Sequence, residues 1–365
     1  MKEIVFLYPA NIDSVRLQKF AIFLKKEGFS LSYIGWNRYK ANKLSDEKFD
    51  RIEYLCNGGG EGTKILPLIY VMFIVRLFLK LLFQRNLSDK IWFAINFETA
   101  FVMWLISKVR RVSFIYDIWD EFAISHKFPT FLKNVLKFFD DKIRKKAQFY
   151  IHVDENRYSA IDKDNTNSVV IYNTPFDFFD GRTLRNDAYE NSFAVTGWLN
   201  NTRGLDSIYR FAQNNKEITF YVVGEFIDKK MENHFLDLEN VKYNHFLPQR
   251  KLFEIIKNCR GIFSLYDPSI EINKLAASNK LYDAMMLSIP VIVNTGIQAA
   301  DFVKKEHIGY VVNYDYDESW GQLSIFDVQK VKEKGEAGRN LYLSRYEFGS
   351  MLRARFLPLL KEKFK

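Results

Sequence analysis

Short apolar runs alternate with amphipathic stretches through the first half of the chain. Each run predicts a buried strand, because a parallel sheet covered by helices is apolar on both faces. In the first amphipathic stretch, Val15, Phe20 and Leu24 recur at near-helical spacing and the pattern ends before Gly28. Strands that alternate with helices predict a doubly wound parallel sheet. The predicted strands are EIVFLYP, SLSYIGW, KIWFAIN, SFIYDIW and FYIHVD.

The same alternation restarts after residue 180 and predicts a second sheet of the same kind. Between the halves, NTPFDFFDGRTLRNDAYEN is polar and rich in turn-forming residues, as a linker would be. We therefore predict two Rossmann-like domains with a junction near residues 173–190. Ligands of such sheets bind beyond the carboxyl ends of the strands, so we expect a site in a cleft between the domains. The predicted strands of the second half are SFAVTGW, ITFYVVG, GIFSLYD and PVIVN.

Residues 65–83, ILPLIYVMFIVRLFLKLLF, imitate a membrane span. Arg76 and Lys80 lie one helical turn apart in this segment, and cations are costly in the middle of a span. We therefore expect a buried or interfacial helix here.

Cysteine usage and motifs limit the classes of function. The chain has only two cysteines, Cys56 and Cys259, which excludes a disulfide scaffold and a cysteine-based zinc site. It carries no HExxH motif and no histidine cluster, so no metal site is predicted. The first residues do not resemble a secretory leader, and we expect a cytoplasmic protein.

The charge predicts an anionic partner for the first half of the chain. The formal net charge is +9, and residues 1–180 hold 27 basic against 21 acidic side chains. Nucleic acid, an anionic membrane and a phosphorylated substrate all fit this excess.

The stretch YDPSIEINKLAASNKLYDAMMLSIPVIVN is the most informative part of the sequence. A polar loop enters a predicted helix at Ser278, and a helix N-terminus attracts phosphate through its free N–H groups and partial positive charge. Ser278 and Lys280 could add a hydroxyl and a cation, and Asp283 could accept hydrogen bonds from a ribose. The alternative is that Ser278 only caps the helix and Asp283 lies on a solvated face.

Within this stretch, SNKLYDAMMLSIP resembles the signature PNKLYEYMALGKPVI of GT-B glycosyltransferases, particularly the family-4-like enzymes of bacterial surface-polysaccharide assembly. In that family the acidic residue binds the donor ribose and the preceding residues approach the diphosphate. Ser278, Asp283 and Ser288 replace the Pro, Glu and Gly of the signature, and Leu275 stands where many members have a first glutamate.

Further matches extend the resemblance over the second half. FAVTGWLNNTRGLDSIYRFA resembles the first strand and helix of the family's donor domain, VVGEF matches a later strand, and HFLPQRKL matches the region that lines the nucleobase. The resemblance implies that Gly197 lets backbone approach the diphosphate and that Arg203 neutralises its charge; the alternative is a simple strand-to-helix turn with a surface arginine. The donor-binding residues that we predict are Gly197, Arg203, Gly224, Ser278, Asn279, Lys280, Leu281 and Asp283.

In the first half, SFIYDIWDEFA carries the candidate catalytic residues Asp117, Asp120 and Glu121 just after a predicted buried strand. Asp120 or Glu121 could act as a base or an electrostatic partner. Family-4 enzymes often have a histidine where this chain has Trp119. The alternative is that these carboxylates cap the following helix.

The run from Lys127 to Lys146 holds seven cations and two aspartates on a helix that also carries apolar side chains. Such a pattern is typical of a membrane-surface helix, but also of an ordinary amphipathic helix that covers a sheet. A polyprenyl-diphosphate-linked acceptor would explain a surface that is both basic and apolar.

Taken together, the resemblance implies an α/β GT-B fold, with two Rossmann-like domains facing a central cleft. Residues 1–175 would form the acceptor domain, 176–345 the donor domain, and 346–365 a helix that crosses back to the first domain.

The implied function is that of a glycosyltransferase of the hexosyltransferase type, without cofactor or metal. It would move a sugar from a nucleotide-diphosphate donor, expected to be a UDP-sugar, to a lipid-linked or saccharide acceptor, with retention of configuration, in bacterial surface polysaccharide synthesis. We expect it at the inner face of the membrane as a peripheral protein, and we expect no nucleic acid partner. The alternatives are a nucleotide-sugar epimerase or hydrolase on the same fold, a basic nucleic-acid-binding protein, and a non-catalytic partner of a transferase.

Overall fold

The structure is a computed structural model, and it describes residues 2–38, 46–59, 63, 65–120, 122, 128–155, 167–179, 189–275 and 278–365. The chain divides into two compact units. The N-terminal unit comprises Met1–Asn173 and Met351–Lys365, and the C-terminal unit comprises Thr174–Ser350.

The N-terminal unit is built on a seven-stranded parallel sheet with the order β3-β2-β1-β4-β5-β6-β7. The chain starts in the middle of the sheet, winds to one edge and then returns to build the other edge. The direction of winding therefore changes between β1 and β4, where open α/β sheets bind ligands. The strands are β1 Glu3–Tyr8, β2 Leu31–Asn37, β3 Arg51–Asn57, β4 Lys90–Ile95, β5 Phe114–Ile118, β6 Phe149–His152 and β7 Ser168–Val170.

Helices cover both faces of this sheet. Three of them, α2 to α4, share a hydrophobic core with one face, and ring contacts of Phe139 with Phe101 and Trp104, at 5.5 and 5.6 Å, join α4 to α3. The helices are α1 Val15–Lys26, α2 Leu66–Phe83, α3 Asn96–Val109 and α4 Thr130–Lys146, with a 3₁₀ turn at Leu87–Asp89.

The last residues of the chain complete the N-terminal unit on the face that carries α1. Phe356 is fully buried, and its ring lies 5.3 Å from Phe20, 6.1 Å from Phe93 and 5.8 Å from Phe149. The chain therefore returns to its first unit after building the second.

The C-terminal unit contains a six-stranded parallel sheet with the order β10-β9-β8-β11-β12-β13. Its winding changes direction between β8 and β11. Two doubly wound parallel sheets with helices confirm the predicted α/β fold class. The strands are β8 Ser192–Leu199, β9 Thr219–Phe226, β10 Val241–Asn244, β11 Ile262–Phe263, β12 Val291–Asn294 and β13 Gly309–Val312.

The helices after β8 belong to the C-terminal unit as far as Ser350, and the helical segments after that residue belong to the N-terminal unit. The core of the C-terminal unit contains several aromatic side chains, with Phe193, Phe211, Phe220, Phe263 and Trp320 all at most 2% exposed. The helices are α5 Leu205–Asn214, α6 Lys229–Leu236, α7 Gln249–Ile256, α8 Glu271–Lys274, α9 Asn279–Leu287, α10 Gln298–Lys305, α11 Gly321–Ser324, α12 Val328–Leu341, α13 Phe348–Met351 and α14 Leu357–Lys363, with 3₁₀ turns at Asn201–Arg203 and Glu318–Trp320 and π-helical segments at Tyr342–Tyr346 and Leu352–Phe356.

Candidate functional site

Two glycines face each other near the carboxyl ends of β8 and β9. Gly197 pairs with Gly224, and both have positive φ angles, +93° and +153°. A Cβ atom at Gly224 would lie 1.9 Å from the carbonyl oxygen of Gly197, so only glycine fits there. A Cβ at Gly197 would meet only the Lys280 side chain, at 3.7 Å from Cε and 3.9 Å from Nζ. The ammonium group of Lys280 therefore lies beside an exposed stretch of backbone.

Lys280 is held there by the first turn of α9. Ser278 caps this helix, because its Oγ accepts a hydrogen bond from the backbone N–H of Lys280 at 3.2 Å. The N-terminus of α9, with its partial positive charge, is thus placed at the same point as the ammonium group. The capping role that the sequence left open for Ser278 is present in the structure.

Burial and, to a smaller extent, the positive charge of Arg203 lower the pKa of Lys280 to about 8, whereas the charge of Asp283 opposes the change. Lys280 is half-buried. Lys280 and Arg203 repel each other in a partly dehydrated environment, and a bound anion would offset this repulsion.

Arg203 ends the 3₁₀ turn that follows β8. Its guanidinium group stacks over the ring of Tyr266 with 3.9 Å between the guanidinium carbon and the ring centroid. Its Nη1 atom is buried and has no hydrogen-bond acceptor among the described residues. A buried donor without an acceptor costs about 1–3 kcal/mol, so an acceptor atom of a bound ligand would stabilise this side chain.

The other predicted donor residues are distributed around these cations. Asp283 is half-buried on α9, three residues after Lys280, and acts on the Lys280 charge. Asn279 is exposed at the first position of the helix. Leu281 is 4% exposed and belongs to the core, so its side chain holds α9 against the interior of the C-terminal unit.

Two exposed aromatic rings that the sequence analysis did not select lie at the same edge of the sheet. Trp198 follows Gly197 and is 62% exposed, Phe246 lies just after β10 and is 48% exposed, and their ring centroids are 5.0 Å apart. Beside them, His245 Nδ1 lies 3.0 Å from Glu225 Oε1, and Glu225 is the register partner of Trp198. The sequence does contain a signal for Trp198, because an aromatic residue directly follows Gly197 at the strand-to-helix turn.

The candidate catalytic residues of the N-terminal unit have different surroundings. Asp117 is fully buried, and its two carboxylate oxygens accept hydrogen bonds from Arg16 Nε at 3.1 Å and Nη2 at 2.9 Å. The indole N–H of Trp119 donates to the same carboxylate at 2.6 Å. These contacts favour a structural role for Asp117 in place of the catalytic one expected from the sequence.

Asp120 lies on the surface two residues after β5. Glu121 lies outside the described residues. Trp119 stands where the resemblance leads to a histidine, and its ring centroid lies 4.7 Å from that of Tyr8 at the end of β1.

Glu98 is a further carboxylate that sequence reasoning missed. It is 7% exposed and lies in the first turn of α3, immediately after β4, where the winding of the N-terminal sheet changes direction. In the sequence, the segment around Glu98 has only the pattern of a helix N-terminus, so its place where the winding of the sheet changes direction could not be recognised. Burial and, to a smaller extent, the charge of Glu98 raise the pKa of the neighbouring Tyr8 to about 12.

Within the part of the chain that the structure describes, no group of three or more histidine, cysteine or acidic side chains has the arrangement of a metal site.

The comparisons identify solved structures with the same fold. No family model and no curated protein sequence matches the chain. Anabaena HepE in complex with UDP is 13% identical, with a TM-score of 0.70 over 96% of this chain and 98% of that one, and HepE was also solved with UDP-glucose.

Two other solved structures represent different chemistries. WaaG, a glycosyltransferase involved in lipopolysaccharide biosynthesis, is 11% identical, with a TM-score of 0.63 over 96% of this chain and 98% of that one. UDP-N-acetylglucosamine 2-epimerase is 12% identical, with a TM-score of 0.58 over 92% of this chain and 91% of that one. The chain thus has the fold of GT-B glycosyltransferases, as the resemblance implied.

Proposed function

We propose that the protein is a glycosyltransferase that takes a sugar from a nucleotide-diphosphate donor. The observation that carries this proposal is the pair of cations at the carboxyl end of β8. Arg203 has a buried Nη1 without an acceptor in the described chain, and Lys280 lies beside the open backbone of Gly197 at a helix N-terminus. A diphosphate supplies the acceptors and the negative charge that this arrangement requires.

The same groups would act in catalysis. The bond between the anomeric carbon and the donor phosphate oxygen breaks while a bond to the acceptor hydroxyl oxygen forms. Negative charge therefore grows on the leaving diphosphate, and Arg203, Lys280 and the N-terminus of α9 stabilise it without a metal ion. For retention of configuration the acceptor approaches from the face that the diphosphate leaves, so its proton passes to the departing phosphate oxygen, and Asp120 and Glu121 remain the proposed electrostatic partners. Asp283 binds the ribose.

The proposed donor is a UDP-sugar, and the proposed stereochemical outcome is retention. The likeness to HepE, which was solved with UDP and with UDP-glucose, supports the choice of nucleotide. The exposed rings of Trp198 and Phe246 are proposed to pack against the base, since an aromatic ring offers every base a stacking surface.

The proposed acceptor is a lipid-linked or saccharide molecule in bacterial surface polysaccharide synthesis. The sequence resemblance and the likeness to WaaG support this assignment. The excess of cations in the first half of the chain supports a place of action at the inner face of the membrane.

The test measures turnover and UDP affinity for three variants, Arg203→Ala, Lys280→Ala and Asp283→Ala. Loss of either cation is expected to lower turnover by about a hundredfold or more, because the contact strengthens as the leaving group gains charge. Asp283→Ala is expected mainly to weaken UDP binding, because a ribose contact is similar in the ground state and the transition state.

A matched control is Lys304→Ala, which removes an exposed cation from α10 of the same unit. It is expected to leave turnover unchanged. Turnover near that of the wild type for all three site variants would place the donor elsewhere and refute the proposal.

A second candidate function is epimerisation or hydrolysis of a nucleotide sugar. The fold likeness to UDP-N-acetylglucosamine 2-epimerase favours it specifically. Incubation with UDP-sugars in the absence of an acceptor distinguishes the two, because an epimerase interconverts the sugars and a transferase requires the acceptor. Mass spectrometry detects transfer and hydrolysis, and NMR detects epimers of equal mass.

A further inference from the structure

One side of α2 exposes an uninterrupted row of apolar side chains. Leu68, Val71, Val75, Leu79 and Phe83 are 68%, 58%, 49%, 47% and 78% exposed, and they recur at intervals of three and four residues. They therefore share one side of the helix, which we call the outer face of α2. The row extends for about 22 Å at 1.5 Å per residue. Contiguous apolar surface of this kind marks an interaction site.

The opposite side of α2 belongs to the core of the N-terminal unit. Ile69 is 8% exposed, and Phe73, Leu77 and Leu81 are fully buried. Among the helices that the structure describes, this is the one that is long and apolar enough to cross a membrane. The mean hydropathy of its 18 residues is 2.2, and 22% of them are buried.

Polar contacts attach α2 to the sheet and argue against a span. Arg76 Nη1 donates a hydrogen bond to the carbonyl oxygen of Leu55 on β3 at 2.6 Å. Lys80 forms an ion pair of 2.8 Å with Glu53 on the same strand. A helix that crossed a bilayer would break both contacts and remove its buried side chains from the core.

The surrounding surface is basic. Next to α2, the ammonium group of Lys108 on α3 lies 4.9 Å from the ring centroid of Trp104. On α4, that of Lys142 lies 5.3 Å from the ring of Phe138, which is 57% exposed. Lysines beside aromatic rings are typical of a membrane interface, where the rings enter the headgroup region and the amines reach the phosphates.

Charge also decides between lipid and a second copy of the chain. Lys133, Lys137 and Lys142 on α4 have no ion pair among the described residues. Two copies that met through this side would bring like charges together, whereas an anionic lipid surface complements them.

We propose that α2 lies flat in the surface of an anionic bilayer, with its outer face inserted at the boundary between headgroups and acyl chains. The helix remains packed on its own sheet, and the lysines of α4 contact lipid phosphates. This docking surface does not depend on the chemistry of the donor site.

The first experiment measures cosedimentation with vesicles of phosphatidylcholine and phosphatidylglycerol. The triple variant Leu68→Ser, Val75→Ser and Leu79→Ser changes only exposed side chains, so it is expected to remain folded. It is expected to lower vesicle partitioning by roughly tenfold or more, because the buried apolar area drives interfacial binding.

A matched control removes three exposed apolar side chains from the C-terminal unit, through Ile227→Ser, Leu236→Ser and Ile325→Ser. It is expected to bind vesicles like the wild type. A second arm replaces Lys133, Lys137 and Lys142 with Glu and is expected to abolish the preference for phosphatidylglycerol over pure phosphatidylcholine vesicles.

The second experiment measures the depth of the helix. Fluorophores on Leu68→Cys, Val75→Cys and Phe83→Cys are quenched by lipids that carry nitroxides at defined depths; both native cysteines are buried, so the label goes to the new site. Equal, shallow depths at both ends and at the middle of the helix support the proposal. A label at position 75 that lies near the bilayer centre, with both ends shallow, would indicate a span and overturn it. Unchanged vesicle binding by the outer-face variant would also overturn the proposal. So would a wild-type protein that does not bind vesicles but forms a dimer, if the outer-face variant converts that dimer to monomers.

Discussion

Lys280 should make nucleotide binding depend on pH in a way that can be calculated. Its pKa of about 8 in the free protein results from burial and from the nearby Arg203. A group with that pKa is about nine-tenths protonated at pH 7 and about one-tenth protonated at pH 9. A bound diphosphate favours the charged form, so it binds the protonated protein preferentially.

The expected result is a loss of UDP affinity of about tenfold between pH 7 and pH 9, because the competent fraction of the protein falls by that factor. The sign follows from the direction of the pKa change. Binding raises the pKa of Lys280 back toward its usual range, so proton uptake accompanies binding above pH 8. Without ligand the slope of folding stability is opposite: the unfolded chain keeps this proton up to about pH 10.5, so stability rises with pH between about 8 and 10.5.

Isothermal titration calorimetry of UDP binding at pH 7, 8 and 9 provides the measurement, and two variants provide the controls. Lys280→Arg keeps the charge at every pH, and Lys280→Met lacks it at every pH. Both should retain only the pH dependence of the ligand itself. If the wild type and both variants lose affinity in parallel, Lys280 does not contact the diphosphate and the reasoning is refuted.

Three further predictions concern other parts of the molecule. Arg16→Met should lower the free energy of unfolding by about 3–5 kcal/mol in denaturant titrations, because it leaves the Asp117 charge buried and unpaired; a loss below about 1 kcal/mol would contradict a desolvated pair. Gly224→Ala should lower the stability by more than about 2 kcal/mol, because its Cβ would meet backbone at 1.9 Å, whereas Gly321→Ala, which has open space around it, should leave the melting temperature almost unchanged; equal melting temperatures would contradict the glycine contact. Trp198→Ala should preserve stability but weaken UDP binding by about 1–3 kcal/mol while pyrophosphate binding stays the same; unchanged UDP affinity would place the base elsewhere.

The central strands could be predicted because their burial is reflected in their amino-acid composition. Strands such as β1 and β4 are covered on both faces, so nearly every side chain is apolar and the run is recognisable. The strand β3, RIEYLCN, escaped prediction because it lies at the edge of the sheet and is only partly buried. An edge strand has little apolar signal to read.

The donor motif was recognisable for a different reason. The cap of α9 by Ser278 and the helical spacing of Lys280 and Asp283 are local features that short-range geometry determines. Sequence alone placed these residues on one helix end. It did not determine that Arg203 Nη1 has no acceptor among the residues that the structure describes, or that the Lys280 ammonium group lies beside Gly197.

The surroundings of Asp117 could not be predicted from the sequence. Asp117 lies inside β5, near its carboxyl end, where a carboxylate has the position of a catalytic residue, but its partner Arg16 is 101 residues away in the sequence. Only the packing of α1 against the sheet brings the two together and neutralises the charge.

For this protein, the sequence by itself determined the two doubly wound sheets and the helix end of the donor motif, because both depend on periodicity and capping within a few residues. The tertiary structure decided which polar groups are already paired and which apolar faces remain uncovered. Arg16 with Asp117, Arg203 with Tyr266, and the outer face of α2 are outcomes of long-range packing. Local pattern cannot report them, since the same side chain is buried, paired or exposed according to the segments that fold against it.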